Sequence, residues 1–268
     1  MKTLDHNYNF LKPINTNDLI RIGRNQDGGY VVNSKIIEKC NILISFGLGS
    51  DWSFELDYLK KNKNLKIYVY DHTVSYVPYI KETLKYLKRF LLLKKNFHDF
   101  YCRFLNLYSY LKFKKNKQVN FFSEKITFPI KEVYETDINK VFSRIEAEKE
   151  VILKCDIEGS EFLIIDQILE HSNRINLLIF EFHNLDKYED NFKKLINKLS
   201  KKFKITHIHG NNHDDVLPSG LPITIELTMV NFKYCAQEAA GNTKNYPLAN
   251  LDFPNNPHKK DISFCFKE

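Results

Sequence analysis

Short, wholly apolar runs alternating with amphipathic stretches are what most limits the folds open to this chain. NILISF (41–46), LKIYVY (65–70), VILKC (151–155) and LLIFEF (177–182) are too short for independent helices and too uniformly apolar for half-exposed strands. They read as strands buried on both faces, with VNFF (119–122) as a further strand. Helical patterns at 53–61, about 161–169 and about 189–200 separate them. Strand–helix alternation of this kind specifies an α/β fold with a doubly wound, mostly parallel sheet. Residues 204–208 and 223–230 also read as strands, but only a polar loop (210–222) lies between them. They are therefore expected to pair antiparallel at a sheet edge. Such a sheet binds ligands outside the carboxyl ends of its strands, just after Phe46, Tyr70, Cys155, Phe182 and Ile208.

Those positions are rich in chemistry. After the first strand comes SFGLGSDW, in which Gly47 and Gly49 allow a tight turn and Ser50 precedes a helix whose N-terminus suits an anion. Trp52 stands where the third glycine of a dinucleotide fingerprint would fall, so a pyrophosphate fits poorly. The second strand ends in Asp71, a turn residue or an acceptor for the two hydroxyls of a ribose, with His72 beside it. Asp156, Glu158 and Glu161 crowd the end of VILKC. A helix cap and a first-turn acid explain Glu161 better than the other two. Glu181 and His183 are two apart on one side of an extended chain, as are His207 and His209, which precede Asn211 and Asn212.

Charge is uneven. Residues 81–117 carry eleven Lys or Arg against Glu82 and Asp99, a net of +9, so the rest of the chain is −2 against a total of +7. Within this segment Ile80, Leu84, Leu87 and Leu91 recur at helical spacing, and a second stripe runs from Phe97 to Leu111. A helical hairpin inserted at 78–117 in one domain is expected. It serves as a solvated basic face, a substrate cap, a membrane contact or an interface between copies. At 43% hydrophobic and 27% charged residues the composition excludes wholesale disorder. No apolar run approaches the roughly 20 residues of a membrane span. The first residues show no secretory leader pattern. Five cysteines without close pairing read as reduced thiols, which points to the cytoplasm.

Several pieces together resemble the FkbM-like branch of S-adenosylmethionine-dependent methyltransferases: RIGRNQDGGYVV (21–32), SFGLGSDWSFE (45–55), VYDHT (69–73), LKCDIEGSEF (153–162), IFEFH (179–183), HIHGNN (207–212) and IELTMV (225–230). They cover most of the chain apart from the basic insertion. The resemblance implies a seven-stranded Rossmann-like sheet with a reversed last strand, a single methyltransferase domain over 1–268, and S-adenosyl-L-methionine as methyl donor, leaving S-adenosyl-L-homocysteine. Many methyltransferases carry an acid at the end of the first strand, where this chain has Ser45 and Phe46. Gly28 and Gly29 are then the expected contacts to the methionine carboxylate. They join Gly47, Gly49, Ser50, Asp71, His72 and Asp156 as cofactor residues.

The implied reaction is methylation of a sugar hydroxyl, with a nucleotide-linked sugar of a surface (capsular) polysaccharide as acceptor. His183 or His209 is the expected base, assisted by Glu181, Asp156 and Glu158. Lys88, Arg89 and Arg103, with Asn211 and Asn212, are the expected substrate contacts. The carboxylates also suit a divalent cation, although hydrogen-bonding roles suffice and no metal is favoured. The rival readings are an RNA-directed methyltransferase, which lacks a recognisable nucleic-acid motif here, and a non-catalytic cofactor-binding module. The latter would dock on a membrane or partner through the basic helices.

Overall fold

The computed structural model describes Leu4, residues 6–235 and residues 244–266. Eleven strands and seven α-helices follow in order: β1 (Leu19–Ile22), β2 (Tyr30–Asn33), α1 (Ser34–Lys39), β3 (Ile42–Phe46), α2 (Ser53–Lys61), β4 (Lys66–Tyr70), α3 (Tyr76–Leu91) and α4 (Phe97–Lys114). Next come β5 (Val119–Phe122), β6 (Lys125–Ile126), β7 (Glu135–Thr136), α5 (Ile138–Ser143), β8 (Val151–Cys155), α6 (Glu161–Glu170), β9 (Ile175–Phe182), α7 (Leu185–Leu199), β10 (Phe203–Gly210) and β11 (Ile225–Asn231).

The central sheet has the order β10–β11–β9–β8–β3–β4–β5. Its pairings from β9 to β5 are parallel, whereas β11 runs antiparallel to both β9 and β10. This is the expected seven-stranded sheet with a reversed last strand. That strand does not lie at the margin; it is inserted between β10 and β9. Strands β3, β8 and β9 are buried at every position, as their unbroken apolar runs require. Alternate side chains feed two cores. Ile42, Ile44 and Phe46 join Leu153 and Cys155 with Ile164 of α6 and Phe192 of α7. Leu43, Ile67, Val69 and Ile152 face the other way, with Phe54 and Tyr58 of α2 and Tyr30 of β2.

The basic segment forms α3 and α4, which together make the crossover between the parallel neighbours β4 and β5. Only its base is part of the core: Tyr110 and Phe113 are buried beside Trp52. The side-chain oxygen of Asn96 accepts from the Asp99 N–H at 2.9 Å and starts α4. Residues 244–266 cross the β10–β11 margin in irregular conformation, closed by a backbone bridge between Tyr246 and Phe264.

The strand ends meet at Gly47. Its N–H donates to Tyr70 O at 3.1 Å, while Asp156 N–H donates to Phe46 O at 3.0 Å. With φ at +72°, a Cβ here would lie 1.6 Å from the Asp156 carbonyl oxygen. Gly47→Ala is therefore expected to cost about 3 kcal/mol or more from backbone overlap and left-handed strain. That corresponds to a drop of roughly 6–12 °C in melting temperature; calorimetry showing an unchanged melting temperature would contradict the close approach.

Candidate active site

A cavity of about 350 Å³ opens at the carboxyl ends of β3, β4 and β8. The strand order reverses between β3 and β8, so this is the topological switch point. The Gly47–Ser50 turn, Asp71, His72, Thr73, Asp156, Ile157 and Glu158 line it, with Gly28 from the β1–β2 turn. Seven of the eight expected cofactor residues thus share one cavity. Gly29 does not line it: its N–H donates to Gln26 O at 3.3 Å, and its Cα packs against the Arg24 carbonyl.

The glycine turn is already filled with negative charge from the protein. Asp71 Oδ2 accepts from the N–H groups of Leu48 (2.8 Å) and Gly49 (3.0 Å). Its Oδ1 accepts from the N–H and hydroxyl of Thr73 and from Val74 N–H. Burial alone would raise the Asp71 pKa, but the bonds from Thr73, Gly49 and Leu48 outweigh it and hold the pKa below its ordinary value. The first N–H of α2, that of Ser53, is likewise taken by Asp51 at 2.9 Å. The Leu48, Gly49 and Ser53 N–H groups are therefore not open to a pyrophosphate. A ribose hydroxyl at Asp71 would share oxygens that already accept five hydrogen bonds.

Six carboxylates line the cavity (Asp27, Asp51, Asp71, Glu124, Asp156 and Glu158) against three cationic side chains (Arg24, Lys125 and Lys154). Some are neutralised locally, as in the 2.9 Å Arg24–Asp51 and 2.8 Å Arg144–Glu124 pairs. The balance remains negative.

Lys154, within the apolar run of β8, is only 3% exposed. Its ammonium donates to Gly47 O at 3.2 Å and lies 3.6 Å from Glu55. Burial alone would lower its pKa, but Glu55 and Asp156 outweigh that and hold it above the ordinary lysine value. The sequence signal for this residue, a lysine inside a buried strand, is visible in VILKC. Tyr30 was likewise legible only as part of DGGY. Its hydroxyl donates to Glu181 Oε2 at 3.1 Å and lies 3.4 Å from Asp156 Oδ2.

His183 stands at the centre of the second half of the site. Its Nδ1 is 2.9 Å from Glu161 Oε1. Its Nε2 lies 3.7 Å from both Asp156 and Glu158 and 3.9 Å from Glu181. Glu161 thus stands in the first turn of α6, as expected, but it does not face solvent. It is fully buried, it accepts from Ile157 N–H, and it orients the imidazole. Nor does Asp156 cap α6, whose N-cap is Ser160. Glu158 has φ +55°, uncommon outside glycine, and its side chain is 86% exposed at the rim. Burial opposes charge on His183, but Glu161, Glu181 and Asp156 outweigh it and raise its pKa to about 9. Burial raises Asp156 to about 6 against the pull of Lys154 and His183, and pushes Glu181 well above the carboxylate range. His183 therefore carries its proton at neutral pH, whereas Asp156 is largely ionised and near its pKa. Asp156, Glu158 and His183 also offer one ligand atom each within 4.8 Å of one another, a geometry compatible with a divalent cation.

His209 is not in this group. It is 1% exposed, held by Glu226 at 3.3 Å and Asp261 at 3.2 Å, and these acids raise its pKa to about 10 despite burial. Its place is structural, fastening residues 244–266 to β10. Asn212 does the same through the carbonyls of Asn256, Lys259 and Lys260. Asn211 donates to Glu181 Oε1 at 2.7 Å and so positions that carboxyl group. Lys88, Arg89 and Arg103 do not line the cavity. Arg103 is spent inside the hairpin, over Tyr86 and 3.3 Å from Glu82.

Because the folded pKa of His183 lies above its unfolded value of about 6.5, its contribution to stability is complete below about pH 6.5. It fades as pH rises through about 9. NMR titration should place its midpoint near 9, and Glu161→Gln should bring it down toward the ordinary value. A midpoint left unmoved in that variant would remove Glu161 as the orienting partner.

No family model matches the chain and no curated protein matches its sequence. Among solved structures it is similar to the fibrillarin/Nop5p complex, with a TM-score of 0.38 and 11% identity over 72% of this chain and 73% of that one. It is also similar to precorrin-6y C5,15-methyltransferase from Geobacter metallireducens GS-15, with a TM-score of 0.36 and 11% identity over 72% and 82% of the two chains.

Proposed function

We propose that the chain is an S-adenosylmethionine-dependent O-methyltransferase acting on a sugar hydroxyl. The observation that carries this reading is the acid-lined cavity at the switch point, opening onto the Asp156–His183 cluster. A sulfonium and an ammonium group suit that lining, and a dinucleotide pyrophosphate does not. Its volume lies within the range of small-molecule sites. Four of the seven FkbM-like motifs, those at 21–32, 45–55, 69–73 and 153–162, contribute residues to this lining.

In the proposed reaction the acceptor oxygen attacks the methyl carbon in line with the departing sulfur. The C–S electron pair stays on sulfur, giving the thioether S-adenosyl-L-homocysteine, and the hydroxyl proton passes to the Asp156 carboxylate. Alignment is the main contribution, because the sulfonium is already electrophilic. His183, protonated and fixed by Glu161, holds Asp156 and Glu181 in place and offers Nε2–H toward the acceptor. Glu158 at the rim, as an exposed carboxylate, suits hydrogen bonds from neighbouring hydroxyls of a sugar. A nucleotide-linked sugar destined for a surface (capsular) polysaccharide is the acceptor form proposed.

A second reading places Mg²⁺ or Mn²⁺ on Asp156, Glu158 and His183, where it would acidify the acceptor hydroxyl. Loss of turnover with a chelator and recovery with Mn²⁺ would select it.

Titration calorimetry should show saturable binding of S-adenosylmethionine and none of NAD; the reverse order would sink the proposal. In a screen of nucleotide-sugars, mass spectrometry should detect the gain of one methyl group. Asp156→Asn should lower turnover by about 10²–10⁴-fold, the size of a lost acid–base contribution. Full turnover in that variant would transfer the proton-accepting role elsewhere.

A further inference from the structure

The α3–α4 hairpin carries an apolar surface that the fold does not use. Antiparallel packing sets its inner face: Tyr79 stacks on Tyr110, Thr83 donates to Arg103 O, and Phe90 stacks on Phe100. At about 100° per residue, a second stripe lies roughly a quarter turn round each helix in the same sense along the chain. It comprises Ile80, Leu84 and Leu91 on α3 and Phe97, Phe104 and Tyr108 on α4. Because the helices run in opposite directions, both outer stripes emerge on the same side of the pair. All six residues are exposed, and the connecting turn adds Leu92 and Leu93, the latter 93% exposed. Soluble surfaces rarely show a contiguous apolar patch of this kind without a partner.

Charge identifies the occupant. The two acids of the segment are consumed within it, Glu82 by Arg103 at 3.3 Å and Asp99 by Lys95 at 3.6 Å. Lys81 and Lys88 follow the apolar stripe of α3 on its outer flank, and Lys94 sits beside the leucine turn. A second copy of the chain would bring a like-charged +9 segment against this one. An anionic bilayer supplies both requirements together: acyl chains for the leucines, phenylalanines and tyrosine, and lipid phosphates for the lysines. No helix among the described residues is long and apolar enough to cross a membrane, so the contact is one of lying on the surface.

We infer that the hairpin is a docking device for an anionic membrane surface, with residues 91–93 entering the headgroup layer. This is independent of the reaction catalysed at the cavity, because no hairpin residue from 76 to 114 lines it.

Flotation of the full chain with vesicles tests it. Vesicles of equal parts phosphatidylglycerol and phosphatidylcholine should carry the protein, vesicles of phosphatidylcholine alone should not, and added salt should weaken the binding. Lys81→Glu/Lys88→Glu/Lys94→Glu should cut partitioning on the order of 100-fold or more. Leu91→Ser/Leu92→Ser/Leu93→Ser should abolish flotation by a separate route. Both sets alter exposed side chains and should keep the parental melting temperature, and either alone suffices as the test. Failure to float with anionic vesicles overturns the inference. So does equal flotation with both compositions, or flotation unchanged in a folded variant. A dimer in ultracentrifugation that the leucine variant dissociates would assign the face to a second copy. A salt-sensitive shift with RNA, without flotation, would assign it to nucleic acid; either result overturns membrane docking.

Discussion

The site depends on how closely three strand ends approach one another at Gly47. The turn after β3 leaves no room for a side chain, because the Asp156 carbonyl occupies that space. Tyr70 O accepts the Gly47 N–H, Phe46 O accepts the Asp156 N–H, and the Lys154 ammonium donates to Gly47 O from below. These contacts fix where β4 delivers Asp71 and where β8 delivers Asp156. Asp71 then anchors the remainder of the turn through Leu48 and Gly49. The cavity is thus bounded by backbone that cannot shift without breaking the alignment of β3, β4 and β8.

Opposite charges are kept apart by the fold. The body concentrates acids at the carboxyl ends of its strands, and it compensates those it buries with Lys154, His183 and His209. The hairpin concentrates lysines, and it pairs its own two acids internally. Ionised groups in low dielectric survive only with partners. The raised pKa values of His183 and His209 record that need on the cationic side, and those of Asp156 and Glu181 on the acidic side. One consequence bears on chemistry: an imidazole ringed by carboxylates becomes a poor base, and one of those carboxylates becomes a better one.

Much of this was legible in the sequence because buried parallel strands announce themselves. NILISF, VILKC and LLIFEF all lie in the sheet, and helix α2 occupies the predicted span. The strand-end rule located the cavity, and the alternation across Phe182 put Glu181 and His183 on one side. The four-residue strands β1 and β2 were missed because they are too short to establish a period; they are held by Thr228, whose hydroxyl donates to Val31 O, and by the turn around Gly28. The two roles read into HIHGNN separated for a reason that spacing does not encode. Asn211 supports Glu181, whereas His209 and Asn212 are claimed by a segment about fifty residues further along the chain. The hairpin was legible as two helices, but not as a β4–β5 crossover, since that depends on Tyr110 and Phe113 meeting Trp52.

The irregular segment 244–266 fastens parts of the chain that are far apart in order of synthesis. Asp252 and Asp261 take His207 and His209 of β10, Asn255 takes Glu226 of β11, and Leu251 O accepts from Arg21 of the first hairpin. All eleven strands among the described residues precede this segment in the chain. The sheet can therefore form before its β10–β11 margin is covered and before Asp252 and Asp261 reach the histidines there. A molecule interrupted before residue 244 would retain the cavity walls of β3, β4 and β8 but expose an uncompensated seam along β10 and β11. Closure of the β10–β11 margin against water thus rests on a segment that adds no strand to the central sheet.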